Sequence, residues 1–340
     1  MALTRAVPAV SVIIPAYNAA DFIAEAVETV RAQTFRDYEI IVVDDGSSDG
    51  TADVVRRLGG EVRYHRQPNG GVASARNAGL ELSRGDLVCF LDSDDLWLPE
   101  KLAMQTAFMA AHPDIGLLFA DATESHGDVV QKESILATMQ CGTEATSQAP
   151  IEDAFRKLLV ENFVPTSSVM LRRSCVTTAG PFDVALQNVE DRDMWLRVAA
   201  HFPIACLPQR LVRKRSHGAN ISARTEIALR ARIRVWQKCR ERFPALAPAP
   251  LCNQLLAITY QELGYILLAK GEGREARRCA VASLNCAGRA VAATWSLFPY
   301  RWLLSITLVP LSFVGRRLVQ SLWQLRHSMS RRSTHPAATS

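Results

Sequence analysis

The stretch Ile40-Ile41-Val42-Val43-Asp44-Asp45-Gly46-Ser47-Ser48-Asp49-Gly50-Thr51 carries an apolar, β-branched run straight into two adjacent acids and a turn. A run that is apolar without alternation suits a strand buried on both faces of a parallel sheet. The Gly-Ser-Ser-Asp that follows suits a turn and a helix cap. Turn and cap account for Ser48 and Asp49, but not for two acids leaving a buried strand. Ligands of open parallel sheets bind outside the carboxyl ends of the strands. Asp44 or Asp45 is therefore a candidate to accept the imide N–H of a uracil or thymine ring.

Outward from this run the same alternation repeats. Short β-branched segments stand at Val10 to Ile14, Tyr38 to Val43, Glu61 to His65, Asp86 to Leu91 and Ile115 to Ala120. Between them lie helical windows: Phe22, Ile23, Ala26, Val27 and Val30 with Asp21 as cap, then Thr51 to Leu58 and Val72 to Leu82. This is the sequence form of βαβ units and predicts an α/β fold, a Rossmann-like, mainly parallel sheet flanked by helices. The polar stretch Asp121 to Pro150 reads as a long loop or insertion. Ile151 to Phe202 reads as a second apolar and helical segment, giving way to the basic stretch Arg210 to Ser222.

From Thr225 helical periodicity takes over. Gln261 to Ala269 and Arg274 to Leu284 flank Lys270-Gly271-Glu272-Gly273, and the spacing of Gly264, Ala276 and Ala280 resembles a tetratricopeptide-like hairpin. One hairpin makes no repeat array, so an ordinary helical extension is the favoured reading. Ala290 to Val314 is apolar with Arg301 as its one charge, and Pro299 and Pro310 interrupt it. A membrane-spanning helix wants about 20 uninterrupted apolar residues, so this segment is read as lying on a membrane. Trp295, Phe298, Tyr300, Trp302 and Trp323 would sit at the headgroups, and Arg316, Arg317, Arg326, Arg331 and Arg332 would face anionic lipid. The expected organisation is a ligand-binding domain over residues 1–224, a helical extension over 225–289 and an amphipathic, arginine-rich tail over 290–340.

At 340 residues with 48% hydrophobic content, the chain can bury a full α/β core, and its net charge of +5 is modest. No basic run interleaved with aromatics occurs in the first half, which speaks against nucleic acid as a partner. The eight cysteines form no C-x-x-C pair, against a zinc site or a disulfide framework, and read as reduced cytosolic thiols. Met1 to Pro8 shows no export signal.

A second acid-bearing strand end, Val88-Cys89-Phe90-Leu91-Asp92-Ser93-Asp94-Asp95-Leu96-Trp97, repeats the design of the first. Side chains two apart on a strand share a side, so Asp92 and Asp94 could approach one hard divalent cation that also touches a diphosphate. Asp95 could cap the helix leading to Lys101. Gln67-Pro68-Asn69-Gly70-Gly71-Val72-Ala73-Ser74-Ala75-Arg76 is a glycine turn opening a helix, with an arginine one turn in, suited to phosphate or ribose oxygens but equally to a plain loop-to-helix junction. No G-x-G-x-x-G follows the first strand, against a dinucleotide-dependent oxidoreductase. Val189-Glu190-Asp191-Arg192-Asp193 places acids at a helix start, where they complement the dipole and where one could also serve as a general base.

Together with Val10-Ser11-Val12-Ile13-Ile14-Pro15-Ala16-Tyr17-Asn18, Ala75-Arg76-Asn77 and Gly180-Pro181-Phe182-Asp183, these signals form an ordered series over the first two thirds of the chain. The series resembles the inverting family 2 glycosyltransferases and implies a GT-A fold with a C-terminal helical extension. On that resemblance Pro15, Ala16 and Tyr17 make the first nucleotide-contacting turn, Asp44 or Asp45 binds the base, and Arg76 lines the nucleotide pocket. Asp92 and Asp94, with Ser93 between them, face the diphosphate and a divalent cation, Mn²⁺ or Mg²⁺, and His217 in Arg215-Ser216-His217-Gly218 helps hold that metal. Asp191 is the catalytic base, with Glu190 beside it. Lys214, where relatives often carry an aromatic residue, and Val189, where a small residue is common, depart from the pattern.

The implied partners are a nucleotide sugar, a UDP-sugar foremost, a glycan or lipid-linked acceptor, and the inner face of the cytoplasmic membrane, with no nucleic acid. The implied setting is cytoplasmic and peripheral to that membrane, in cell-surface polysaccharide, lipopolysaccharide or glycolipid synthesis. A sugar nucleotidyltransferase is the rival enzyme, but its glycine-rich Arg-Lys signature is missing where Pro15-Ala16-Tyr17-Asn18 stands. A non-catalytic nucleotide-sugar binding module is the rival of another class, opposed by the joint presence of Asp92, Asp94 and Asp191.

Overall fold

The computed structural model describes residues 7–127, 129–139, 149–216 and 225–291. The chain divides into two compact units, Met1–Ala223 and Arg224–Ser340.

The first unit opens with β1 (Val10–Ala16), α1 (Ile23–Arg31), β2 (Tyr38–Asp44), α2 (Thr51–Arg57), β3 (Val62–Arg66), α3 (Val72–Leu82) and β4 (Leu87–Phe90). Its four strands pair in parallel in the order β3-β2-β1-β4. Every residue of β1 is buried, as a strand covered on both faces requires. On one face α3 lies so close that a Cβ on Gly79 would stand 2.3 Å from Ile13 Cγ2. On the other, Ile23, Ala26, Val27 and Val30 of α1 fill the core.

Beyond β4 the sheet becomes mixed. The elements are β5 (Leu96–Trp97), α4 (Lys101–Ala111), β6 (Leu117–His126), β7 (Val129–Lys132), α5 (Ala154–Val160), β8 (Met170–Arg172), α6 (Arg173–Ala179), α7 (Glu190–Ala199) and β9 (Ile204–Arg215). The sheet continues from β4 through β8, β6 and β9 to β5, with β7 paired to β6. β8 is antiparallel to β4 and β6, β5 is antiparallel to β9, and β6 with β9 is parallel.

Several local expectations are corrected here. Asp21 does not cap α1: Phe22 holds the N-cap position without a side-chain bond. The preceding turn is tied instead to the next one, Ala19 N–H donating to Thr51 Oγ1 (2.8 Å) and Ala20 N–H to Asp49 Oδ2 (3.1 Å). Asp95 does not cap α4, whose N-cap is Glu100. The stretch read as a loop from Asp121 begins as the second half of β6 and turns into β7. The Asp121 carboxylate accepts the N–H of Ala122 (2.8 Å) and Leu136 (3.0 Å) at a register shift in the β6–β9 ladder, so its polarity is spent on the backbone at a bulge.

The second unit contains α8 (Thr225–Arg242), α9 (Ala249–Ala269) and α10 (Gly273–Val291). Both arms of the expected hairpin are longer than their periodicity suggested. Small residues bring α9 and α10 together, Ala257 against Ala287, and the buried Ser283 hydroxyl donates to Ala257 O (2.7 Å). Arg230 of α8 pairs with Glu226 (2.9 Å) and with Glu275 of α10 (2.8 Å). Among the described residues no helix is long and apolar enough to cross a membrane. The tail read as membrane-associating lies outside the described residues from position 292 onward.

Candidate active site

Of the four parallel strands, β1, β2 and β4 end at Ala16, Asp44 and Phe90, and the turns that follow them lie at one edge. The first two are laced together. Asp45 N–H donates to Ala16 O (2.8 Å). Asn18, in the left-handed region at φ 48°, receives a bond from Ser48 N–H (2.9 Å) and donates its own N–H to Ser47 Oγ (3.0 Å). Pro15 and Ala16 are buried beneath this turn, and Tyr17 stands out from it, 54% exposed.

Asp44 is fully buried and accepts from Tyr64 Oη (2.6 Å) and Ser47 N–H (2.8 Å). Burial pushes its carboxyl up, but these bonds and the nearby Arg66 charge outweigh it and hold the group below the usual range. The same contact pushes the Tyr64 hydroxyl up to about 12, burial first and Asp44 second. Asp45 accepts Gln67 Nε2 (2.7 Å) and Gly70 N–H (3.0 Å) on one oxygen and Gly71 N–H (2.7 Å) on the other. Both acids thus shape the glycine turn and the edge around it. The exposed aromatic face there belongs to Tyr17.

Arg76, in the second turn of α3, is the hub. It is 3% exposed and donates Nη2 to Asp92 Oδ1 (2.8 Å) and Nη1 to Glu190 Oε1 (2.7 Å). Burial works against its charge, while Asp92 and Glu190 hold it firmly protonated. Its guanidinium lies 5.6 Å from the centre of the Phe182 ring, which packs edge-on to Phe90 (5.3 Å) and Trp195 (6.0 Å). Asn77 fixes Phe182 by accepting its N–H (2.8 Å) and donating to its carbonyl (2.9 Å). Here Gly180-Pro181-Phe182 earns a structural purpose: it walls the arginine. Burial raises the Glu190 carboxyl, and the Asp191 charge adds to this while Arg76 opposes it. Glu190 Oε1 is taken by Arg76, and among the described residues Glu190 Oε2 and Arg76 Nε have no hydrogen-bond partner.

Asp92, Ser93, Asp94 and Asp95 form a turn closed by Asp95 N–H on Asp92 O (3.0 Å), beyond the end of β4. Strand alternation is thus not what relates Asp92 to Asp94. The Asp92 side chain is 35% exposed, and Ser93 and Asp94 are half-buried. Asp95 is buried, accepting from Ser167 Oγ (2.6 Å) and Arg215 N–H (3.0 Å). Burial, then the charges of Asp92 and Asp94, push its carboxyl up to about 8. Arg215 also donates to the Asp94 carbonyl and to Glu25 (2.5 Å). Lys214 is exposed as a residue. Crowding around its ammonium opposes its charge, but Asp95, Asp92, Asp191 and Glu124 outweigh that and raise its pKa.

Asp191 lies in the first turn of α7, where Val189 holds the cap position. Its Oδ2 accepts Asn162 Nδ2 and Thr166 Oγ1, each at 3.2 Å. Tyr64, Asn162, Thr166, Ser167 and Asp95 are site residues that the sequence reading left without these tasks. Three hydroxyl residues in a row, Thr166-Ser167-Ser168, set between apolar Val164 and Val169, were the one available signal. His217 lies outside the described residues, and among the described residues no three His, Cys, Asp or Glu side chains converge as a metal cage.

The profile described as "Glycosyl transferase family 2" matches residues 11–176. Over 192 residues the chain is 31% identical to the Escherichia coli UDP-Glc:alpha-D-GlcNAc-diphosphoundecaprenol beta-1,3-glucosyltransferase WfgD, covering 56% of this chain and 69% of that protein. The chain spans only 27% to 66% of the length of the Rickettsia and Nostoc glycosyltransferases among its curated relatives. Among solved structures, S. aureus TarS residues 1–349 in complex with UDP-GlcNAc shares the fold at TM-score 0.66 and 19% identity, covering 93% of this chain and 91% of that one. The mannosyltransferase PcManGT of Pyrobaculum calidifontis, in complex with GDP-Man and Mn²⁺, does so at TM-score 0.57 and 18% identity, covering 91% and 87%. With the acid turns, the arginine hub and the α7 acids assembled on one such sheet edge, the chain belongs to the family 2 glycosyltransferases.

Proposed function

We propose that this protein transfers a sugar, with inversion, from a UDP-sugar to an acceptor hydroxyl on a glycan or lipid-linked intermediate of cell-surface polysaccharide or glycolipid. The observation that carries the reading is the Arg76 hub: one buried cation bonds both the Asp92 turn and the start of α7, so the leaving-group side and the base side share one site. The E. coli relative is named for a UDP-Glc donor and a diphosphoundecaprenol acceptor, and TarS was crystallised with UDP-GlcNAc. Both names favour a UDP-sugar here.

Tyr17 offers a ring face for the base, and Asp44 and Asp45 fix the turn around it. The Asp92-Ser93-Asp94 turn suits a hard divalent cation. Its donors are carboxylate oxygens, and Asp92 keeps an oxygen beyond the one Arg76 holds, as such a cation shared with a diphosphate needs. Asp92 and Asp94 would hold Mn²⁺ or Mg²⁺, with His217 as the proposed third protein ligand. When bound, the cation offsets the negative charge that grows on the leaving diphosphate. Asp191, held through Oδ2 by Asn162 and Thr166, takes the acceptor hydroxyl's proton as that oxygen attacks in line with the departing diphosphate. The carboxylate needs position more than basicity, since a free Asp has a pKa of about 3.9. The tail over 290–340 is proposed to rest on the inner face of the cytoplasmic membrane, where a lipid-linked acceptor would be presented.

Asp191→Asn tests the assignment. Asn keeps the shape and the helix start but cannot take the proton. The variant is expected to fold, to bind donor as wild type does, and to transfer sugar roughly 10²-fold or more slowly. Near-normal transfer would return Asp191 to a purely structural task.

A further inference from the structure

We infer that the buried turn Thr166-Ser167-Ser168 is a joint that sets the acid turn and Asp191 in register, with Thr166 a positioning residue for Asp191 and Ser167 one for Asp92. The inference rests on the reading given under Proposed function. The three residues form one 3₁₀ turn after Pro165 and are 9%, 2% and 0% exposed. Hydroxyl groups so deep in a core must find partners. Ser168 satisfies its own locally, on Pro165 O (2.7 Å). The turn is gripped from below, where the Trp97 indole N–H donates to Ser167 O (2.7 Å) and Gln105 Nε2 to Ser168 O (2.8 Å).

The other two hydroxyls leave in different directions. Thr166 Oγ1 reaches Asp191 Oδ2 (3.2 Å), the oxygen that Asn162 also holds. Ser167 Oγ accepts the Asp92 backbone N–H (3.1 Å) and donates to Asp95 Oδ2 (2.6 Å), gripping the acid turn at its first and last residues. A trans peptide fixes successive Cα atoms about 3.8 Å apart, so one covalent link sets the spacing between the support of the base and the support of the cation-facing acids. Arg76 ties the same two regions through side chains; this joint ties them through backbone. The two hydroxyls should therefore act on different steps, Thr166 on proton removal and Ser167 on cation and diphosphate.

The test uses the full chain with Mn²⁺ and UDP as binding probes, read by calorimetry, and UDP release from UDP-glucose and UDP-N-acetylglucosamine as turnover. Thr166→Val keeps the shape and removes the hydroxyl. It is expected to bind Mn²⁺ and UDP within twofold of wild type while turnover falls roughly tenfold to a hundredfold, since small misplacements cost that much. Thr166→Ser should restore most of the rate. Ser167→Ala is expected to show the opposite split, Mn²⁺-supported UDP binding weakened roughly tenfold or more, as for lost outer-shell partners of metal ligands, and turnover recovering at saturating Mn²⁺ and donor. Melting curves check folding, and Ser167→Cys replaces Ser167→Ala if the latter does not fold. The joint is overturned if the variants lower both readouts together, or if neither moves. If wild type itself fails to bind UDP with Mn²⁺, the reading under Proposed function falls, and the joint with it.

Discussion

At the scale of single residues, this site separates charges that are used from charges that are merely buried. Lys101, in the first turn of α4, has no exposed surface, with Gln105 Oε1 at 2.7 Å from its ammonium and the Trp97 ring centre at 3.8 Å. Burial lowers its pKa to about 8 from an ordinary 10.5. Between those values the unfolded chain binds more protons than the folded one, so this group makes stability rise with pH from about 8 toward 10.5. Below about 8 the folded state carries an ammonium in a poor solvent. Lys101→Met is therefore expected to raise stability at pH 7 by about 1–3 kcal/mol and to flatten the rise above pH 8; denaturant unfolding at several pH values reads both. The partly exposed acids behave differently. Asp92→Asn and Asp94→Asn should both fold and weaken Mn²⁺-dependent UDP binding, with a lower melting temperature for Asp92→Asn, which takes a negative charge away from the buried Arg76. Wild-type affinity in both variants would remove the cation from this turn.

At the scale of elements, the site depends on how closely α3 lies against β1. Gly79 makes that approach possible, since a Cβ there would fall 2.3 Å from Ile13 Cγ2 and 3.3 Å from its Cβ. Gly79→Ala is expected to cost about 1–3 kcal/mol through overpacking. It should also weaken nucleotide binding, because Arg76 rides on the same helix one turn earlier. Ile13→Ala in the same chain should recover part of the loss, and strict additivity of the two changes would show that the clash is not the cause. The helix itself was legible, Val72 to Leu82, from its spacing alone. β5, β8 and β9 were not: they are short or flanked by polar residues, and they become strands by pairing with neighbours far along the chain. The second half of β6 was hidden for the same reason, its polar residues taken for a loop.

At the scale of the whole molecule, the sheet and the arginine hub lie entirely within Met1–Ala223, and among the described residues of the second unit α9 and α10 bury a small-residue contact of their own, Ala257 against Ala287. Residues 1–223 alone are expected to melt cooperatively and to bind UDP with Mn²⁺ at an affinity near that of the full chain. A fragment that aggregates or binds nothing would make the second unit part of the fold that binds. A chain ending at Val291, where α10 ends, is expected to lose the membrane association proposed for the tail, since apolar burial and basic attraction vanish together. Unchanged partition between membrane and soluble fractions would rule that anchor out.

The sequence by itself determined the parallel half of the sheet, its helices and the acid-bearing strand ends. All of these are written in local periodicity, and a buried strand or an amphipathic helix must announce its faces within a few residues. It marked Asp92, Asp94, Arg76, Glu190 and Asp191 by residue type and order. Only the tertiary structure decided which partners they meet. Arg76 meets Glu190 across 114 positions, Asp95 meets Arg215 across 120, and Ser167 meets Asp95 across 72. Those partners are chosen because a buried charge or hydroxyl must be satisfied by whatever the packed core brings near. No local pattern encodes that choice, which is why the sequence set Glu190 beside Asp191 without showing that its carboxylate meets Arg76.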